Sequence, residues 1–173
     1  MDDSSAATSG TRRRLILMRH AKSDWADEGL SDHDRPLNKR GKRDAPQMAE
    51  WLREIDCLPD VVLSSSAVRT RETIELMQDS FRSDVVVGYS ESLYLATPEA
   101  MCSVISSDSC DASTVMVLAH NPGMAYLVSQ LAGQMVDMPT AAIAIFDVSI
   151  ADWSKFRLSS PVKLEHFMRP KAL

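Results

Sequence analysis

Three short apolar runs constrain this chain more than any other feature: Leu15 to Met18, Val61 to Leu63 and Val115 to Ala119. None of them alternates with polar residues, so each suits a strand covered on both faces, as in a parallel sheet packed between helices. The stretches between them carry helical spacing. Ala45, Met48, Ala49, Leu52 and Ile55 share one face of a helix over about 38–56, in which Pro46 is expected to disturb the first turn. Thr70, Ile74, Met77 and Phe81 form the stripe of a second helix over about 67–81, with a serine expected as its cap. Val85 to Val87 reads as a further strand, Gly88 to Ala96 as a loop, and Thr97-Pro98-Glu99 as a helix start. Met124, Leu127, Val128 and Leu131 mark another helix, closed near Gly133.

Strands alternating with amphipathic helices predict an α/β fold, a three-layer α/β/α sandwich around a mainly parallel sheet. Ala141 to Ile150 and Val162 to Met168 read as two last strands with no helix between them, so antiparallel pairing is expected near the C-terminus. Ser23 to Leu37 is polar, aperiodic and long for a connection, which points to a working loop.

At 173 residues the chain is expected to form one domain over 13–173, behind a disordered tail over 1–12 rich in Ser, Ala, Thr and Asp. Lys and Arg total 19 against 24 Asp and Glu, a net charge of −5 that argues against nucleic acid as a partner. Arg12 to Arg14 therefore read as the solvated start of a strand. Cys57, Cys102 and Cys110 are odd in number and lack a CxxC pair, which fits reduced thiols and neither a disulfide framework nor a zinc site. The first residues lack the apolar core of a secretion signal, and no run approaches the roughly 18 apolar residues of a membrane span. A cytoplasmic protein without a membrane partner is expected.

In open α/β sheets, ligands bind beyond the carboxyl ends of the strands. Arg19-His20, Ser64-Ser65-Ser66 leading to Arg69, and His120-Asn121 stand at three such ends. Arginine holds two phosphoryl oxygens with its planar fork and stays charged at any working pH. Neutral imidazole is a competent nucleophile near pH 7. Two arginines and two histidines around one concavity therefore suit phosphoryl transfer with neither metal nor cofactor.

The same residues carry a family likeness. The chain resembles the histidine phosphatase superfamily, and within it the SixA-type phosphohistidine phosphatases. The likeness rests on Arg19-His20, Asp34-Arg35-Pro36-Leu37 through Arg40-Gly41, Ser65-Ser66-Ala67-Val68-Arg69 with Glu72-Thr73, and His120-Asn121-Pro122-Gly123. It implies that His20 accepts the phosphoryl group, that Arg19, Arg69 and His120 hold its oxygens, and that Arg35 reaches in from the long loop. Two positions depart from the superfamily pattern: Ala21 stands where glycine is usual, and Ser66 where proline is usual.

Relatives acting on esters protonate the leaving oxygen, and Glu91 is the expected donor, with Asp24, Asp27 and Asp34 as rivals. No inserted lid is visible, so an open mouth is expected, one that could admit phosphohistidine on a protein surface. The expected partner is thus a phosphorylated protein. The alternatives are a small phosphorylated metabolite cleaved by the same chemistry, or a non-catalytic phosphate-binding module. Lys22 either adds positive potential to the site or is a surface residue. Lys39-Arg40 and Lys42-Arg43 read as the solvated start of a helix, and the scattered Trp25, Trp51 and Trp153 form no aromatic stacking platform.

Overall fold

β1 (Arg13–Arg19) runs through a six-stranded sheet, flanked by β4 (Thr114–Ala119) on one side and β5 (Ile143–Val148) on the other. The computed structural model describes residues 12–173, so the tail expected over 1–12 lies, Arg12 apart, outside the described residues. The remaining strands are β2 (Val61–Ser65), β3 (Val86–Ser90) and β6 (Val162–Met168), and the spatial order is β3-β2-β4-β1-β5-β6. β1 with β4, β4 with β2 and β2 with β3 pair in parallel, whereas β5 is antiparallel to both β1 and β6. This is the mixed, mostly parallel sheet expected, with its antiparallel pairs near the C-terminus.

Successive residues of β1 point to opposite faces. Leu15 and Leu17 pack with Val115, Val117 and Phe146 beneath α3 (Pro98–Asp108) and α4 (Gly123–Ala132). Ile16 and Met18 pack with Met116, Leu118 and Ile145 beneath α1 (Lys39–Glu54) and α2 (Val68–Met77). Helices on both faces explain why the runs in β1 and β4 do not alternate. β3 is the exception: it pairs only with β2, and Val86 is 61% exposed.

Four local expectations need correction. Gly88 to Ser90, expected as loop, are the second half of β3, paired with Leu63 to Ser65 of β2. α1 runs unbroken through Pro46; the one backbone bond proline removes would end on Lys42, an exposed residue whose carbonyl water can satisfy. No serine caps α2. Its N-cap is Ala67, whose N–H is accepted by Ser65 Oγ at 3.3 Å, and the helix tightens into a 3-10 turn after Met77. Arg13 is buried and donates to the carbonyls of Ala112 and Ala151, so it fastens the start of β1 to two loops instead of extending into solvent.

Other signals match. Thr97 Oγ1 accepts from Ala100 N–H ahead of Pro98, and Gly133 ends α4 at φ 67°. Cys57 and Cys102 are buried and Cys110 is exposed, all as thiols. Among the described residues no helix is long and apolar enough to cross a membrane.

Candidate active site

Parallel pairing sets the ends of β1, β2 and β4 side by side. Arg19 is in register with Ala119, so the residues that follow, His20 and His120, are neighbours, with ring centroids 5.2 Å apart. Ser64 is in register with Leu118, which places Ser65 within 2.7 Å of His120 Nε2 through its hydroxyl. A cavity of about 310 Å³ opens over these ends, lined by Arg19, His20, Arg35, Arg69 and His120 together with Lys22, Trp25, Asp32, Leu95 and Thr140.

His20 is 6% exposed, and its Nδ1 lies 2.7 Å from the Ala21 carbonyl oxygen. A carbonyl only accepts, so Nδ1 carries the proton and Nε2 is left with the lone pair. Burial pushes the imidazole down to about 3, against the raising effect of that hydrogen bond, and His120, Arg69 and Arg19 push the same way as burial. The ring is thus neutral at physiological pH. Thr73 Oγ1 accepts the Ala21 N–H at 3.1 Å and donates to the Arg69 carbonyl at 2.6 Å, tying this turn to the first turns of α2.

His120 is also pushed down to about 3, chiefly by burial and next by Arg69. Ser65 Oγ already accepts the Ala67 N–H, so its own proton is available to His120 Nε2. His120 Nδ1, on the other side of the ring, is a buried atom with no hydrogen-bond partner among the described residues. Arg19 Nε, Arg69 Nε and both Nε and Nη1 of Arg35 are in the same condition. Burial lowers the affinity of the Arg19 and Arg35 guanidinium groups for their protons, although both remain cations. Three guanidinium groups converging on one cavity beside two neutral imidazoles form a cationic socket suited to an oxyanion.

The loop over 23–37 folds back onto this socket. A bridge between Ser23 and Leu37 closes its base, and a 3-10 turn (Asp32–Asp34) carries its inner side. The Asp32 carboxylate takes Arg69 Nη2 at 3.0 Å and the Tyr94 hydroxyl at 2.5 Å, while its carbonyl takes Arg69 Nη1 at 2.5 Å. Burial pushes Asp32 up, but Tyr94, Arg69 and Arg35 outweigh it, and the carboxyl is held below the usual range. Arg35 donates to Ser23 Oγ at 2.8 Å and sits 3.4 Å from the Trp25 ring centroid. Ser66, standing where proline is usual, holds His33 Nε2 at 3.0 Å and so pins the loop.

The structure therefore brings together Arg19, His20, Arg35, Arg69 and His120, with Lys22 on the wall. It does not bring Glu91, which is exposed at the start of a 3-10 turn after β3 and lies outside the lining. Asp24, Asp27 and Asp34 are likewise outside it. From the sequence alone Asp32, Tyr94 and Thr140 have no role at the site, and Thr73 enters only as part of the family likeness. Trp25, set aside as one of three scattered tryptophans, lines the cavity.

Similarity to known proteins identifies the family. A family model described as the histidine phosphatase superfamily (branch 1) matches residues 15–92. An uncharacterised chloroplastic protein of Arabidopsis thaliana is 38% identical over 98% of this chain and 83% of its own length. The phosphohistidine phosphatase SixA of Escherichia coli is 30% identical over 76% of this chain and 83% of its own. The crystal structure of a candidate phosphohistidine phosphatase SixA from Agrobacterium tumefaciens superposes with a TM-score of 0.78 at 29% identity, covering 91% of this chain and 98% of that one. On this evidence of sequence and fold, the chain belongs to branch 1 of the histidine phosphatase superfamily.

Proposed function

We propose that the protein removes phosphate from phosphohistidine on protein partners, through a phosphorylated His20. One observation carries the choice of substrate. Among the described residues, Asp32 is the sole carboxylate lining the cavity, and Arg69 and Tyr94 hold it ionised. An ester would leave as an alkoxide and needs a proton from a general acid. The imidazole of phosphohistidine, already protonated on its other nitrogen, leaves as a neutral ring. A site rich in cations and poor in available acid suits the second leaving group.

In the first step the Nε2 lone pair of His20 attacks phosphorus, and the bond from phosphorus to the substrate's ring nitrogen breaks, its electrons staying on that ring. Positive charge develops on the His20 ring, and the Ala21 carbonyl receives it through Nδ1–H. Arg19, Arg69 and Arg35, with His120 beside them, surround the charge spread over the phosphoryl oxygens. Water then attacks phosphorus, the bond to Nε2 breaks, and inorganic phosphate leaves with His20 restored. Arg69 must exchange part of its hold on Asp32 for the phosphoryl group.

The test is to assay the protein on a phosphohistidine protein and on a small phosphate ester side by side, with a His20→Ala variant. Phosphohistidine should be the better substrate, and the variant should lose several orders of magnitude in rate. A strong preference for the ester would overturn the substrate reading. Equal rates for wild type and variant would overturn the role of His20. A cytoplasmic location belongs to the same proposal, and imaging the tagged full chain in its own cell tests it against an organelle.

A further inference from the structure

The mouth of the cavity differs in kind from its floor. The floor is cationic and hydrogen-bonding, but two of the lining residues at the mouth are large, apolar and open to solvent: Trp25 is 68% exposed and Leu95 is 54% exposed. We propose that Trp25 and Leu95 form an apolar lip that takes the flat ring of the leaving group while the arginines hold its phosphoryl group. This inference rests on the phosphohistidine reading above.

The exposure of Leu95 is built in. Its φ is 49°, in the left-handed region that a side chain bearing Cβ disfavours. The residues on either side fix it there. Tyr94 is anchored by its hydroxyl on Asp32 and by its ring edge-on to His120, 5.4 Å between centroids. Ala96 is buried, and its carbonyl lies so close to Gly123 that a Cβ on that glycine would stand 1.8 Å from the oxygen. A leucine held in a disfavoured conformation beside a binding site is a mark of function more than of packing.

Trp25 is set in a comparable way. The Arg35 guanidinium covers its ring at 3.4 Å, and the rest of the indole faces solvent above the cavity. Aromatic side chains favour flat partners by stacking or edge contact, beyond the gain from buried area. An imidazole attached to the bound phosphoryl group is such a partner, and it must lie on the open side of the cavity because the phosphoryl end occupies the floor. Ammonia or a small alkyl alcohol as leaving group would leave the lip unfilled.

Two substrates with the same phosphorus–nitrogen bond separate this from a structural role. A phosphohistidine peptide carries a ring to the lip, whereas phosphoramidate releases ammonia and carries none. Leu95→Gly suits the positive φ, so it removes the side chain without straining the backbone, and its melting temperature should equal or exceed wild type. For Leu95→Gly and for Trp25→Ala, the ratio of kcat/KM on the peptide to kcat/KM on phosphoramidate should fall about five- to tenfold, mainly through KM. Trp25→Phe, which keeps a flat face, should recover most of the ratio.

If Trp25 served only to hold Arg35, both substrates would lose rate together and the ratio would stay put, which overturns the lip. An unchanged ratio in Leu95→Gly overturns it equally. Wild-type protein that cleaves phosphoramidate but not the peptide would instead overturn the phosphohistidine reading itself, and the lip with it.

Discussion

His20 and His120 are neutral because they are buried, and that has a consequence for stability. Each is pushed down to about 3 in the folded protein, against about 6.5 in an unfolded chain. As pH falls through about 6.5 the unfolded chain takes up two protons that the folded one refuses until about 3. The unfolded state binds more protons across that window, so stability is full above it and falls as pH drops through it. Melting temperatures measured from pH 7 to pH 4 should decline, and a His120→Gln variant should decline less steeply, since one of the two refusing groups is gone. Asp32, held below the usual range by Tyr94 and Arg69, adds acid sensitivity to both proteins, so the difference between the two curves isolates the histidine. Identical slopes would show that His120 is not buried neutral.

At the scale of elements, the first turn of α1 is what fixes the backbone just beyond His20. Asn38 caps the helix by accepting Gly41 N–H at 2.9 Å, and the Asn38 N–H donates to the Lys22 carbonyl at 3.0 Å. The helix comes so near that a Cβ on Gly41 would lie 2.2 Å from the Lys22 oxygen and 2.9 Å from its nitrogen. Both are backbone atoms, so no side chain can swing away to make room. Gly41→Ala should therefore cost about 1–3 kcal/mol, as overpacking does, and should also lower kcat by displacing the segment after His20. Lys42→Ala, one position on and exposed, should stay within about 0.5 kcal/mol of wild type. Thermal melts and rates on the same preparations check both. A Gly41→Ala protein as stable and as active as wild type would mean that the helix is free to slide.

Across the whole molecule, the two faces of the sheet do different work for one site. Phe146 is fully buried on the α3 and α4 side and pairs with Leu15, near the start of β1 and far along the strand from His20. Phe146→Ala should cost about 3–5 kcal/mol. At about 2–4 °C per kcal/mol for a chain of this size, the melting temperature should drop by roughly 10 °C. Below the transition, kcat should remain close to wild type, because the strand ends keep their register. A large loss of kcat in fully folded Phe146→Ala would show that the core and the site are coupled more tightly than this geometry implies.

The sequence by itself determined the layers and the three strand ends. Unbroken apolar runs can be buried only between two sets of helices, and parallel neighbours in register align their ends, so Arg19, His20, Arg69 and His120 could be gathered before any coordinate was known. It could not decide which carboxylate meets them. Glu91 follows a strand, as a proton donor should, yet it stays in solvent, while Asp32 reaches Arg69 from a loop without period. Asp32 and its partner Tyr94 are 62 positions apart in the chain. Periodicity records which side of an element is buried, a property of neighbours along the chain. Which loop side chain touches which arginine depends on contacts through space between distant segments. For the same reason only the tertiary structure revealed the hold of Asp32 on Arg69, the proton position on His20, and the exposed Trp25 and Leu95 at the mouth of the cavity.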